Sequence, residues 1–270
     1  MMSTAGQEVR GAARRAARHP VMDVATRIGL ACRGVLYALV GAVAVQIGLG
    51  ERSKEADKAG AIETVAELPF GAGLLWIMMI GFVALALWQI SEALFGGGEP
   101  IERAEAVARV AVYALVVASL ISVLTKGKAS SDDEKSRDLT ATLLGLPGGP
   151  VLVGAIGLGL VVLGGYWVRQ GLTKGFRKEL DRARMPEPAR AVMDHLGLGG
   201  FVARGAVAAL AGILVCKAAV TFDPDEAGGI DAALREFAGT PAGPWLLVVV
   251  ALGLLLFAAY CFGEARWRRT

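Results

Sequence analysis

The chain has 270 residues, 54% of them hydrophobic, with 36 glycines, a mean hydropathy of +0.53 and a formal net charge of +3. That composition is too apolar for an ordinary soluble domain, and the near balance of charge leaves no electrostatic footprint for nucleic acid. Cys32, Cys216 and Cys261 all lie inside apolar runs without CxxC spacing, so they read as small buried residues and not as a disulfide framework or a metal site.

In chain order, residues 1–27 form a basic, alanine-rich head in which Arg10, Arg14 and Arg18 share one helical face. The simpler reading is a solvated tail whose charge sets topology; the other is a segment lying against anionic lipid headgroups. Six apolar blocks follow, at 28–49, 70–95, 107–124, 150–172, 199–222 and 243–263. A hydrocarbon core of about 30 Å takes roughly 20 helical residues to cross. The expected fold is therefore an all-α polytopic membrane protein with six transmembrane helices as three tandem hairpins.

The hairpins emerge from an internal repeat. Pro69, Gly71, Gly81, Trp88 and Glu92 recur, without gaps, as Pro147, Gly149, Gly159, Tyr166 and Gln170, and again as Pro241, Gly243, Gly253, Tyr260 and Glu264. This divides the chain into repeats at 28–95, 105–172 and 199–264, with a basic linker at 173–198 before the third. The first helix of each repeat carries an arginine near its mouth, Arg33, Arg109 or Arg204, followed one turn later by Tyr37, Tyr113 or Ala208. Between the two helices of each repeat, short amphipathic patterns around Ile62, Val65 and Ala66, around Leu139, Leu143 and Leu146, and around Ile230, Ala233, Leu234 and Phe237 suit an interfacial segment. A proline is expected at the first turn of each returning helix.

Arg33 and Glu92 each lie roughly 6 to 8 Å below the same membrane boundary at 1.5 Å per residue, a depth that allows pairing. The sequence thus predicts a clasp within each hairpin: Arg33 with Glu92, Arg204 with Glu264, and Arg109 with Gln170 by a hydrogen bond alone. Tyr37, Trp88, Tyr113, Tyr166 and Tyr260 are the aromatic partners on which an arginine could stack. Such stations either staple their own hairpins or form a ring near the cytoplasmic face.

The segments Ala-Cys-Arg-Gly-Val-Leu-Tyr at 31–37, Leu-Pro-Phe-Gly at 68–71 and Leu-Trp-Gln-Ile-Ser-Glu-Ala at 87–93 carry a family likeness. The chain resembles, over nearly all of its length after residue 27, the bacterial membrane family named domain of unknown function 1206. That resemblance implies six transmembrane helices in three tandem repeats and implies no activity. Gln170 departs from the carboxylate at the matching position of the other repeats.

No nucleophile, base and orienting group converge, His19 and His195 stand apart from clustered acids, and the glycines at 154, 157, 159, 164 and 165 precede no P-loop lysine. These glycines, like the ladder Gly34, Ala38 and Ala42, read as close helix packing. The expectation is a non-enzymatic protein without cofactor or metal: a membrane scaffold or interaction protein whose partners are the bilayer, anionic headgroups at its basic face and a protein partner. The alternative is a small-solute transporter or channel with pseudo-threefold symmetry. Fifteen lysines and arginines on one side of the expected spans against eight on the other place both termini in the cytoplasm of a bacterial plasma membrane.

Overall fold

The computed structural model describes residues 20–48, 62, 65, 66, 70–95, 100–126, 132–227 and 243–268. Among them are seven α-helices: α1 (Pro20–Gly48), α2 (Gly71–Phe95), α3 (Pro100–Lys126), α4 (Asp132–Leu144), α5 (Gly149–Leu172), α6 (Glu187–Thr221) and α7 (Gly243–Trp267). The fold is all-α; the described residues hold one isolated antiparallel bridge, between Leu180 and Arg268.

The expected count of six spans is corrected to four among the described residues. The helices long and apolar enough to cross a membrane are those covering Gly71–Ile90, Gly149–Leu172, Glu187–Thr221 and Trp245–Trp267. In α3 the apolar part is only Arg109–Thr125, which at 1.5 Å per residue falls short of the hydrocarbon thickness. In α1, Asp23, Arg27 and Arg33 charge the first half, and only residues 34–48 remain beyond the last of them. The four long helices still turn large apolar side chains outward, among them Trp76, Ile80, Val151, Leu158, Trp245 and Val249. An outward face of that kind is stable in lipid and not in water, so this is a multi-pass membrane protein.

The long helices form an arc in the order α3, α2, α1, α7, α6, α5, each packed on the next. The contacts between consecutive repeats, α2 on α3, α5 on α6 and α7 on α1, are more extensive than those within a repeat, α1 on α2 and α6 on α7. Among the described residues, α3 and α5, the two long helices of the middle repeat, make no comparable contact.

Glycines explain where helices approach closely. A methyl group at Gly157 would lie 2.6 Å from Cys216 Sγ, and one at Gly212 would lie 2.7 Å from the Gly157 carbonyl oxygen. Gly81 faces Gly29 between α2 and α1, whereas Gly159, at the same repeat position, has nothing within 4 Å. Position in the repeat therefore does not fix a glycine's neighbour.

The linker before the third repeat is folded. Two short 3-10 turns, Gly175–Glu179 and Arg182–Arg184, lead into α6, which begins at Glu187, well before the span expected from residue 199. Phe176 is fully buried, stacked on Phe201 and edge-on to Tyr260. Arg177 and Arg182 both donate to Asp194 of α6, at 2.5 to 2.8 Å, which ties the linker down. Near the other end, Ile62 and Val65 are buried in the core shared by α1, α2 and α3, while Leu139 and Leu146 around α4 are exposed. The proline in the first turn of α5 is Pro150, after a left-handed Gly148, and Pro147 lies in the preceding turn. Pro69, Pro241 and the segment from Ile230 to Phe237 lie outside the described residues.

Candidate functional site

The last turns of α7 gather the polar stations. Arg33 Nη2 meets Glu264 Oε2 at 2.5 Å, with the glutamate side chain 1% exposed. Arg33 Nη1 donates to Tyr113 Oη at 3.2 Å and its Nε to Cys261 Sγ at 3.3 Å. Arg268, one turn beyond Glu264, donates to the other carboxylate oxygen at 2.7 Å and lies 4.1 Å over the Trp88 ring. One buried carboxylate thus joins α1 to α7, with α3 and α2 held through Tyr113 and Trp88. Arg27 donates to the terminal carbonyls of Ala265 and Arg266, where a cation complements the helix dipole.

This differs from the expected clasp within each hairpin. Arg33 pairs with the glutamate of the third repeat, and Glu264, expected on Arg204, is held by Arg33 and Arg268. Tyr37 packs edge-on to Phe257, the ring over which Arg33 lies at 5.5 Å, and Trp88 carries Arg268. The Glu92 side chain lies outside the described residues. The physical reason is the arc: α1 packs more extensively on α7 than on α2, and a short ion pair forms where backbones are closest.

Arg109, expected on Gln170, meets Glu179 of the linker at 3.5 Å. Burial would raise the Glu179 carboxyl, but the guanidinium charges of Arg109, Arg268 and Arg33 bring it from 4.5 down to about 2. A carboxyl whose folded value is depressed stabilises the fold above its unfolded value and loses that contribution as pH falls toward the folded one. The melting temperature of the detergent-solubilised protein is expected to be flat from pH 7 to 5 and to fall between about 4.5 and 2. Glu179→Gln should remove part of that fall, as read by a pH series of thermal unfolding curves.

The third station is unlike the others. Arg204 of α6 lies 3.6 Å over the Trp167 ring and 5.0 Å from Phe257, a sandwich of two aromatic faces. Gln170 Nε2 donates to Tyr166 Oη at 2.7 Å, one turn back on α5. Arg204 Nε, Gln170 Oε1 and Tyr260 Oη are buried without a hydrogen-bond partner. Arg268, Glu179, Asp194, Trp167 and Phe257 are not among the candidate residues that the repeat pattern marks. Arg268 is signalled by its four-residue spacing from Glu264; the others carry no local signal, because their partners are distant in the chain.

Among the described residues no group of three or more His, Cys, Asp or Glu side chains is placed to hold a metal ion. His195 is exposed and its Nδ1 lies 2.8 Å from the Ala191 carbonyl oxygen, within its own helix; His19 lies outside the described residues. A bundle of long apolar helices whose ionisable side chains converge at one end defines a multi-pass helical membrane protein. The chain belongs to the family described as Domain of Unknown Function (DUF1206), which it matches at residues 28–96, 104–174 and 199–268. It is similar to the uncharacterized protein YxxB of Bacillus subtilis (strain 168), with 28% identity over 87% of this chain and 86% of that one. No solved structure matches the chain.

Proposed function

We propose that this protein is a non-enzymatic scaffold of the bacterial plasma membrane, with three two-helix repeats and both termini in the cytoplasm. The observation that carries this reading is the Arg33–Glu264–Arg268 tie, in which both carboxylate oxygens are taken by arginines of the same chain. A buried carboxylate whose charge is matched by arginines of its own chain serves to hold helices together. The basic linker, with Lys174, Lys178, Arg184 and Arg190 on the end that bears the tie, suits anionic headgroups or an acidic protein partner.

Flux separates a scaffold from a transporter. Proteoliposomes made with the purified protein and loaded with a neutral solute such as glycerol should release it no faster than protein-free vesicles of the same lipid. Release that scales with protein content and is lost in Arg33→Met would overturn the scaffold reading.

A further inference from the structure

The three arginine stations obey one rule of placement but do not have the same charge. Arg33 of the first repeat is neutralised across the α1–α7 contact by Glu264, the last repeat position of the preceding unit around the arc. The equivalent contact for Arg204 is α6 on α5, where the matching repeat position is Gln170. A neutral amide stands where the first station has its counter-ion. Among the described residues Arg204 Nε is buried without a hydrogen-bond partner, and the guanidinium lies over the faces of Trp167 and Phe257.

We infer that the Arg204 station binds a phosphate group. Aromatic rings covering the faces of a guanidinium leave its edge, where all the N–H donors lie, as the surface for an oxyanion, and that planar fork fits phosphate in a bidentate manner. The site also lies at the right depth. Trp167 is five residues from the end of α5 at Leu172, about 8 Å at 1.5 Å per residue, which is near the headgroup boundary of a membrane-crossing helix. A phosphate there can come from an anionic lipid headgroup or from solution. This goes beyond the scaffold reading, which needs only the Glu264 tie.

Gln170→Glu supplies the test, because it gives Arg204 an internal carboxylate like that of the first station. The purified protein, delipidated in a neutral detergent, is melted with increasing inorganic phosphate and, separately, with short-chain phosphatidylglycerol. A ligand that binds only the folded state raises the melting temperature in proportion to its occupancy. The wild-type protein should show that rise, and Gln170→Glu and Arg204→Gln should bind at least about 10-fold more weakly. A shift with phosphatidylglycerol alone assigns the phosphate to a headgroup; a shift with inorganic phosphate assigns it to solution. An unshifted wild-type protein, or a Gln170→Glu protein that responds as the wild type does, would overturn the proposal. Since Gln170→Glu adds an ion pair and removes none, its behaviour is readable even where Arg204→Gln fails to fold.

Discussion

Glu264→Ala is expected to cost about 3 to 5 kcal/mol, the range for breaking a buried ion pair from one side, and to leave little folded protein at 37 °C. The carboxylate is 1% exposed, and its removal strands Arg33 and Arg268, whose side chains are 10% and 9% exposed, next to apolar surface. Both arginines keep an aromatic neighbour, Phe257 or Trp88, which offsets only a part of the loss. Arg33→Met with Glu264→Gln removes one of the stranded charges and keeps a hydrogen-bond acceptor for Arg268, so the pair of changes should be less damaging than Glu264→Ala. Thermal unfolding of the wild type and the two variants in one detergent measures this, and a double variant worse than the single one would show that the pair is not coupled.

Gly205→Leu is expected to separate α5 from α6 at a cost of about 3 kcal/mol, the upper part of the usual range for overpacking. A methyl group there would lie 2.6 Å from the Gly164 carbonyl oxygen and 2.8 Å from the Val168 amide nitrogen, and backbone cannot yield as a side chain does. Gly164 meets α6 in the same way, at 2.6 Å from the Gly205 carbonyl oxygen, so the two glycines form one backbone contact. Gly159→Leu and Gly165→Leu make the controls. Both positions face open space, and their effect should stay within about 0.5 kcal/mol. Melting temperatures of the set, with cross-linking between cysteines placed on α5 and α6, distinguish a separated pair from a global loss of fold.

The location of each long helix was legible, since a run of apolar residues between charged segments is a local property. Membrane crossing was less so: counting apolar residues gives six spans, and the charges within α1 and the short apolar part of α3 leave four among the described residues. The arginine and glutamate stations were legible as positions. Their partners were not, because a repeat places an equivalent carboxylate at the same depth in each unit. Nothing in the chain between Arg33 and either glutamate says which helix packs closer.

The glycines show the same division. All five between 154 and 165 read alike along the chain, yet Gly157 and Gly164 sit against α6 while Gly159 and Gly165 face outward. On a helix, a shift of one or two residues rotates the position away from the contact, and the sequence alone does not say where the neighbouring axis lies. The basic linker is a further case: along the chain it reads only as a basic connection between repeats, but Phe176 and Asp194 pin it to the bundle.

By itself, then, the sequence determined that this is a helical membrane protein, that it is built on a threefold repeat pattern, and that arginines and carboxylates recur at matching depths. Only the tertiary structure decided that repeats pack more closely on their neighbours than on themselves, and so that Arg33 meets Glu264. It also decided that Arg204 lies between the faces of Trp167 and Phe257, whereas Arg33 meets a carboxylate. Hydropathy and spacing are set by neighbours in the chain, whereas an ion pair is set by which backbones come within a few ångströms, and that depends on where every glycine points.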